Sequence, residues 1–201
     1  MPALKNYLNN QFQGFENLLF LDKKEVKKSI FISIIWIFIA FLIACISKFK
    51  SDYLPDEYLG NAVIEGIGPH FWNIIVMAGL FLIGLFFLFP KFMFFQKSAH
   101  KTLAGAYNSG LMSLGLLIGE LTFSFPSIFP IFETWRVALI FILLTFLLLL
   151  VYVLVYFTFY LSRLLISTEI IEKISKMDFC LRFIGFIFFS IVPVIFFLLE
   201  K

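Results

Sequence analysis

Glu120 is the residue whose position most invites chemistry, because it is the only charged side chain inside any of the five long apolar segments of the sequence. A carboxylate surrounded by lipid is costly, and in membrane proteins it commonly marks a path for ions or protons. Asn108 and Ser109 lie along nearby faces of the same segment and would extend such a path. A structural interpretation competes with this one, since Glu120 lies only about 8 Å from the outer end of its helix and could pair with Arg136.

The segment that carries Glu120, residues 102–125, has two unlike faces when it is placed on a helix. Helices in lipid associate through small residues, close packing and hydrogen bonds. We therefore expect the small or polar face to pack against protein, with a role in self-association favoured. That helix-packing face holds Asn108, Ser109, Met112, Gly115 and Gly119. The opposite, leucine-rich face is expected to contact acyl chains, and it holds Leu111, Leu114, Leu117, Ile118 and Leu121.

The elements that would position these residues are long apolar helices. Of the 201 residues, 61% are hydrophobic and 14% are charged, whereas a soluble domain is near half apolar and a quarter charged. The apolar residues form runs close to the ~20 residues that cross the hydrocarbon core, namely 29–47, 71–89, 102–125, 137–161 and 183–199. We therefore predict an all-α integral membrane protein, in which residues 29–199 form a single bundle of about five transmembrane helices.

Basic residues are distributed unequally among the connections between these segments. With five spans, twelve lie on the N-terminal side: Lys5, Lys23, Lys24, Lys27, Lys28, Lys91, Lys97, Lys101, Arg163, Lys173, Lys176 and Arg182. Four lie on the other side: Lys48, Lys50, Arg136 and Lys201. Because basic connections stay in the cytoplasm, the N-terminus is predicted inside and the C-terminus outside. Four spans, with residues 102–125 re-entrant or cytoplasmic, would weaken the asymmetry to ten against six and form the runner-up.

Two polar stretches are predicted to be amphipathic helices at the membrane surface. Residues 1–28 form a cytoplasmic segment with apolar residues at three- and four-residue steps, which suits anchoring of the first span, and docking of a partner is the alternative. Residues 162–177 place glutamates four residues before lysines, the favourable order on a helix. Between them, residues 91–101 carry three lysines and no acid, and they are predicted to form a cytoplasmic loop.

The remaining residues offer little catalytic chemistry. The sequence contains no H-E-x-x-H, no G-x-S-x-G and no phosphate-binding glycine loop, and the threading places His70 and His100 on opposite sides of the membrane. Cys45 and Cys180 are likewise separated, beyond the reach of a disulfide. We therefore expect no enzymatic activity, no metal and no other cofactor. Cys45 ends a short match to a lipobox, but the leader would be unusually long and we expect no lipidation.

The small size, the layout of spans and the lack of catalytic motifs are similar to those of the small membrane subunits of bacterial anti-phage systems, such as the two-component Kiwa type. The resemblance is one of architecture and not of a residue motif, and four spans are usual in that family. It implies an inner-membrane oligomer that detects membrane disturbance and acts through a cytoplasmic, nucleic-acid-binding partner. Bacteriocin immunity proteins and transporter accessory subunits have the same layout.

The function that we expect is therefore that of a non-enzymatic component of the bacterial inner membrane, which senses, scaffolds or perturbs the lipid bilayer. It would form a homo-oligomer and work with a soluble cytoplasmic protein, without binding nucleic acid itself. The 30 phenylalanines are typical of an AT-rich bacterial genome. One alternative is a small channel or transporter subunit with a polar path near Glu120, and another is a bacteriocin-immunity or transporter-accessory protein.

Overall fold

The computed structural model describes residue 7 and residues 21–49, 69–128 and 132–199, and its regular secondary structure in these ranges is entirely helical. The prediction of an all-α chain is confirmed for this part of the protein. The helices are α1 (Lys23–Phe49), α2 (Pro69–Leu88), α3 (Met93–Ser124), α4 (Thr134–Leu164), α5 (Thr168–Lys176) and α6 (Phe179–Leu199), with a 3-10 turn at Phe125–Ile128. Most of the predicted N-terminal amphipathic helix lies outside the described residues.

Two of the helices, α1 and α4, are long and apolar enough to cross a membrane. Neither contains glycine or proline, so nothing in the sequence interrupts the hydrogen bonding of the helix. With 27 and 31 residues they are about 40 and 46 Å long, and the hydrocarbon core of a bilayer is about 30 Å thick. The apolar stretches of α2 and α6, Trp72–Leu88 and Phe179–Ile191, are shorter.

The chain divides into two compact units, and the first comprises residues 1–26, 75–104 and 159–201. Its buried hydrophobic core draws on α2, α3 and α5 and on the connections at both ends of α5. The residues are Ile83, Phe86, Ala99, Leu103, Leu165, Ile170, Ile174 and Met177. Helix α5 is the amphipathic surface helix expected within residues 162–177. It buries Ile170 and Ile174 while Glu169 and Glu172 remain exposed.

Helix α3 begins at Met93, nine residues before the predicted start at 102, so the expected loop over residues 91–101 is wrong for most of its length. The physical reason is an amphipathic pattern that the lysines obscure. Gln96, Ala99 and Leu103 recur at three- and four-residue steps, and all three are buried, as one side of a helix against a core requires.

The second unit comprises residues 27–74 and 105–158. Within it α3 is packed on more than one side. Gly110 is so close to its neighbours that an added Cβ would lie 2.7 Å from Trp72 Nε1 and 2.8 Å from Val155 Cγ2, while the Trp72 indole donates a hydrogen bond to the Ala106 carbonyl oxygen at 2.9 Å. Val155 belongs to α4, so α3 contacts both α2 and α4 at this level.

Candidate functional site

Gly115 and Gly119 of α3 lie directly against α1. A Cβ on Gly115 would overlap the Ile37 carbonyl oxygen and lie 2.6 Å from Ala40 Cβ, and a Cβ on Gly119 would overlap Ala44 Cβ. Non-bonded carbon atoms normally pack about 3.5–4.0 Å apart. At Gly115 the space for a Cβ is thus taken by the backbone of α1, and at Gly119 it is taken by the Ala44 methyl group. We call this contact the α1–α3 seam.

Helix α1 supplies its own stripe of small residues to the unit, which sequence reasoning missed. Five residues at steps of four, seven, four and three are almost completely buried: Ser29, Ser33, Ala40, Ala44 and Ser47. These small residues recur at helical spacing in the sequence, among isoleucines and phenylalanines, so the stripe could have been recognised there. Helix α1 of the same chain thus covers Gly115 and Gly119, and a role of the remaining packing face in self-association stays a prediction.

Four side chains near the N-terminal end of α1 form a hydrogen-bonded hydroxyl cluster. The hydroxyls of Ser33 and Tyr107 are 2.6 Å apart, and they lie 2.9 and 3.1 Å, respectively, from the Ser29 carbonyl oxygen. Since each hydroxyl has one proton, one of them donates to the carbonyl oxygen and the other donates to its neighbouring hydroxyl. The Ser29 hydroxyl lies 3.2 Å from that of Tyr156. The cluster therefore joins α1 to α3 and α4 within the second unit.

The chemistry of this hydroxyl cluster is that of a cross-link between helices. Its bonding groups are hydroxyls and a peptide carbonyl, whereas activation of a serine nucleophile needs an adjacent general base. Hydrogen bonds between helices in a membrane contribute about 0.6 kcal/mol each on average. The cluster joins residues up to 127 positions apart, which is why no single segment of the sequence revealed it.

The other members of the predicted packing face lie away from the seam. Asn108 and Met112 are exposed, and the Ser109 hydroxyl donates to the Ala106 carbonyl oxygen of its own helix at 3.2 Å. The structure thus brings together Gly115 and Gly119 from that face and leaves Asn108 and Met112 open at the surface.

The predicted lipid-facing side of α3 is wrong at two positions. Leu111 is 0% exposed and Leu114 is 3% exposed, although both were expected to contact acyl chains. The reason is that α3 has protein neighbours on several sides, with α1 at Gly115 and both α2 and α4 at Gly110. Leucines are then needed to fill the space between helices.

Glu120 follows Gly119 on α3 and is half-buried. The expected structural partner, Arg136, lies 3.6 Å from Glu133 and packs over the Trp135 ring, 5.3 Å from its centroid. The Trp135 indole also donates to Glu133 at 2.7 Å. At the start of α4, the Glu133 carboxylate therefore pairs with the Arg136 guanidinium and accepts a hydrogen bond from the Trp135 indole.

A second polar contact, in the first unit, joins α3 to the end of α4. The Ser162 hydroxyl lies 2.8 Å from His100 Nδ1, and the Gln96 amide donates to the Leu165 carbonyl oxygen at 2.5 Å. A serine beside a histidine is the arrangement of a nucleophile and its base. Ser162 is only 2% exposed, however, so its hydroxyl is closed to a substrate and the pair holds the two helices together.

Among the residues that the structure describes, no group of three or more His, Cys, Asp or Glu side chains is placed to hold a metal ion. Cys45 is half-buried and Cys180 exposed, both as free thiols. Comparison of the chain with protein-family models, curated proteins and solved structures gave no match. The resemblance to anti-phage membrane subunits stays a prediction.

Proposed function

We propose that this chain is a multi-pass protein of the bacterial inner membrane, and the observation that carries the proposal is the exposed apolar surface of α4. Eleven large apolar side chains between positions 139 and 157 are 46–68% exposed: Leu139, Phe141, Ile142, Leu143, Phe146, Leu147, Leu149, Leu150, Val153, Leu154 and Phe157. The core helix of a soluble protein is mostly buried, and soluble monomers rarely expose apolar patches of this extent. Lipid provides the missing apolar environment.

We infer five spans, with the N-terminus inside and the C-terminus outside as the distribution of basic residues indicates, and the pairing of α3 and α4 supports the crossing of α3. Helix α3 has 32 residues without a break and is about 48 Å long. Within the second unit, Gly110 of α3 lies against Val155 of α4, and the rings of Phe125, just after α3, and Phe141 of α4 are 5.5 Å apart. These contacts run in opposite directions along the two helices. Helix α3 is thus paired with a helix long enough to span the membrane, which favours a crossing α3 over a re-entrant one.

Within the membrane the protein would act without catalysis, by sensing, scaffolding or perturbing the bilayer. The polar groups that could have suggested chemistry, the hydroxyl cluster and the His100–Ser162 pair, support this proposal because they bind helices to one another. A soluble cytoplasmic partner would carry the response, with anti-phage defence as one setting. Asn108 and Met112 are the members of the predicted packing face still open to a second copy in a homo-oligomer.

The main alternative is a small channel or transporter subunit, and Glu120 is the residue that favours it. A half-buried carboxylate within an apolar helix is the usual mark of an ion path. The close contacts of Gly115 and Gly119 with α1 count against a water-filled path along the seam. The bacteriocin-immunity and transporter-accessory alternatives share the membrane layout and differ in the partner.

Reporter fusions test the membrane topology. Alkaline phosphatase is active only outside the cytoplasm, so a fusion after Lys201 should be active and one within α5 should be inactive. Equal expression of both fusions, checked by immunoblot, is the control. An inactive fusion at Lys201 together with an active one in α5 would refute the five-span topology, because that pattern is expected from four spans with the N-terminus inside as well as from a reversed orientation.

Ion flux separates the two functional classes. Vesicles that contain the purified chain and a pH-sensitive dye should leak protons no faster than empty vesicles after a pH jump. Glu120→Gln is the informative variant, and Glu133→Gln, at an exposed carboxylate near the start of α4, is its matched control. Proton flux that the Glu120 substitution abolishes and the Glu133 substitution preserves would replace the proposed function with the channel.

A further inference from the structure

The first three turns of α3 present two different sides, and hydrogen bonds fix which side faces inward. Gln96, Ala99 and Leu103 are buried in the first unit. The Gln96 amide bond to Leu165 and the His100 contact with Ser162 hold this part of the helix in one rotation. The side opposite these residues is therefore held outward.

That outward side combines aromatic and cationic residues. Phe94, Lys97 and Lys101 recur at steps of three and four, and all three are exposed. Immediately before them, the turn between α2 and α3 exposes Lys91 and Phe92. Phe94 is 71% exposed and Phe92 is 62% exposed. We call Lys91, Phe92, Phe94, Lys97 and Lys101 the Lys–Phe face.

The charge of this face is not neutralised by the described part of the protein, where none of its three lysines forms an ion pair. The sequence contains no acidic residue between Glu65 and Glu120. An anionic ligand would therefore meet three uncompensated ammonium groups beside exposed aromatic rings.

We propose that the Lys–Phe face binds the headgroups of anionic phospholipids in the cytoplasmic leaflet. The lysines contact the lipid phosphates, and Phe92 and Phe94 enter the boundary between headgroups and acyl chains, as aromatic residues do at membrane interfaces. This inference rests on the proposed membrane location. An acidic soluble protein would match the lysines, but it would leave no reason for exposed phenylalanines at the point where α3 continues into its apolar segment.

Lipid titration of the full chain in neutral detergent tests the proposal, with bound lipid counted by native mass spectrometry. Lys91→Gln, Lys97→Gln and Lys101→Gln are combined in one variant. Each lysine near an anionic surface contributes about fivefold in affinity. The triple variant should therefore bind phosphatidylglycerol on the order of 100-fold more weakly, with binding of phosphatidylcholine unchanged.

Phe94→Ser tests the aromatic part without changing charge, and it should weaken phosphatidylglycerol binding about tenfold. The matched control for charge is a triple variant in which Lys48, Lys50 and Lys201, which the threading places on the other side of the membrane, become glutamine. It should retain the phosphatidylglycerol affinity of the wild type. Inorganic phosphate should not compete, because it has no acyl chain for the rings.

Two outcomes would overturn the lipid proposal while leaving the membrane location intact. One is unchanged phosphatidylglycerol binding in the Lys91/Lys97/Lys101 variant, which would leave an acidic protein as the occupant. The other is an equal loss in both triple variants, which would show that only net charge matters. A chain that remains dispersed in water without detergent would instead refute the membrane location itself.

Discussion

Gly119 gives the sharpest test of the α1–α3 seam, because the obstacle to a side chain at this position is a single methyl group. An added Cβ would overlap Ala44 Cβ, while the nearest atom of another residue, the Phe41 carbonyl oxygen, lies at an ordinary 3.6 Å. Gly119→Ala should therefore force α1 and α3 apart. Ala44→Gly in the same chain should remove the obstacle and restore the contact.

The magnitudes follow from the same geometry. Overpacking typically costs about 1–3 kcal/mol, and alanine recovers up to about 1 kcal/mol in helix propensity, so Gly119→Ala should lose about 1–2 kcal/mol. Ala44→Gly alone should lose about 2 kcal/mol, from its methyl group and its helix propensity. In the double variant the methyl group has only moved across the seam, so the stability should return to within about 1 kcal/mol of the wild type. The two single losses sum to about 3–4 kcal/mol, so the coupling should be about 2–4 kcal/mol.

Two further glycines on the same helix serve as controls. At Gly115 the added Cβ would also overlap the Ile37 carbonyl oxygen, a backbone atom that no substitution removes, so Ala40→Gly should rescue Gly115→Ala only in part. At Gly105 an added Cβ would have nothing within 4 Å. Gly105→Ala should therefore be neutral or stabilising by up to about 1 kcal/mol.

The assay is unfolding of the purified chain by SDS in mixed micelles, followed by circular dichroism, with all variants at the same micelle composition. A seam of the kind described requires strong coupling at 44 and 119. If the two single losses simply add in the double variant, or if Gly119→Ala is as stable as Gly105→Ala, α1 and α3 do not pack through these residues.

Two other substitutions test the polar contacts by the same unfolding measurement. Tyr107→Phe removes a hydroxyl that bridges two partners and should cost about 1 kcal/mol, whereas Tyr152→Phe should be neutral; equal losses from both would argue against the hydroxyl cluster. Glu25→Gln removes the 3.3 Å ion pair with Arg163, whose side chains are 41% and 33% exposed, so it should cost less than about 1 kcal/mol and have no effect at high salt. A loss that persists at high salt would show that Glu25 acts through something other than this ion pair.

The positions of the helices were predicted from the sequence more accurately than their ends were. Each apolar run lies largely within a helix of the described chain, because about twenty apolar residues have few other stable arrangements. The ends differ because a helix does not stop where its apolar run stops. Helix α1 extends back to Lys23 and α3 back to Met93, since charged side chains at helix ends are compatible with hydrogen-bonded backbone.

Which side of each helix faces other helices was harder to predict from the sequence. Gly115 and Gly119 lie against α1, but Leu111 and Leu114 are buried where acyl chains were expected. Lipid tails and protein interiors are equally apolar, so a leucine does not reveal which of the two it faces. A glycine is more informative, because its lack of a side chain is useful mainly where another backbone comes close. The hydroxyl cluster could not be predicted from the sequence, because its residues come from three helices, α1, α3 and α4.

In the proposed membrane location, the length of helix α4 has a consequence for the thickness of the bilayer. Its uncharged stretch, residues 137–161, is about 37 Å long, against about 30 Å of hydrocarbon, so a flat bilayer requires a tilt close to the 40° upper end of the observed range. Tyr156 on this stretch is hydrogen-bonded to Ser29 of α1, so α4 cannot change its tilt without moving α1 or breaking that bond. We expect infrared dichroism of oriented samples to show different α4 tilts in short-chain and long-chain phosphatidylcholine, and identical tilts would refute a response of α4 to bilayer thickness. Hydrophobic mismatch thus makes bilayer thickness a variable to which this chain must respond.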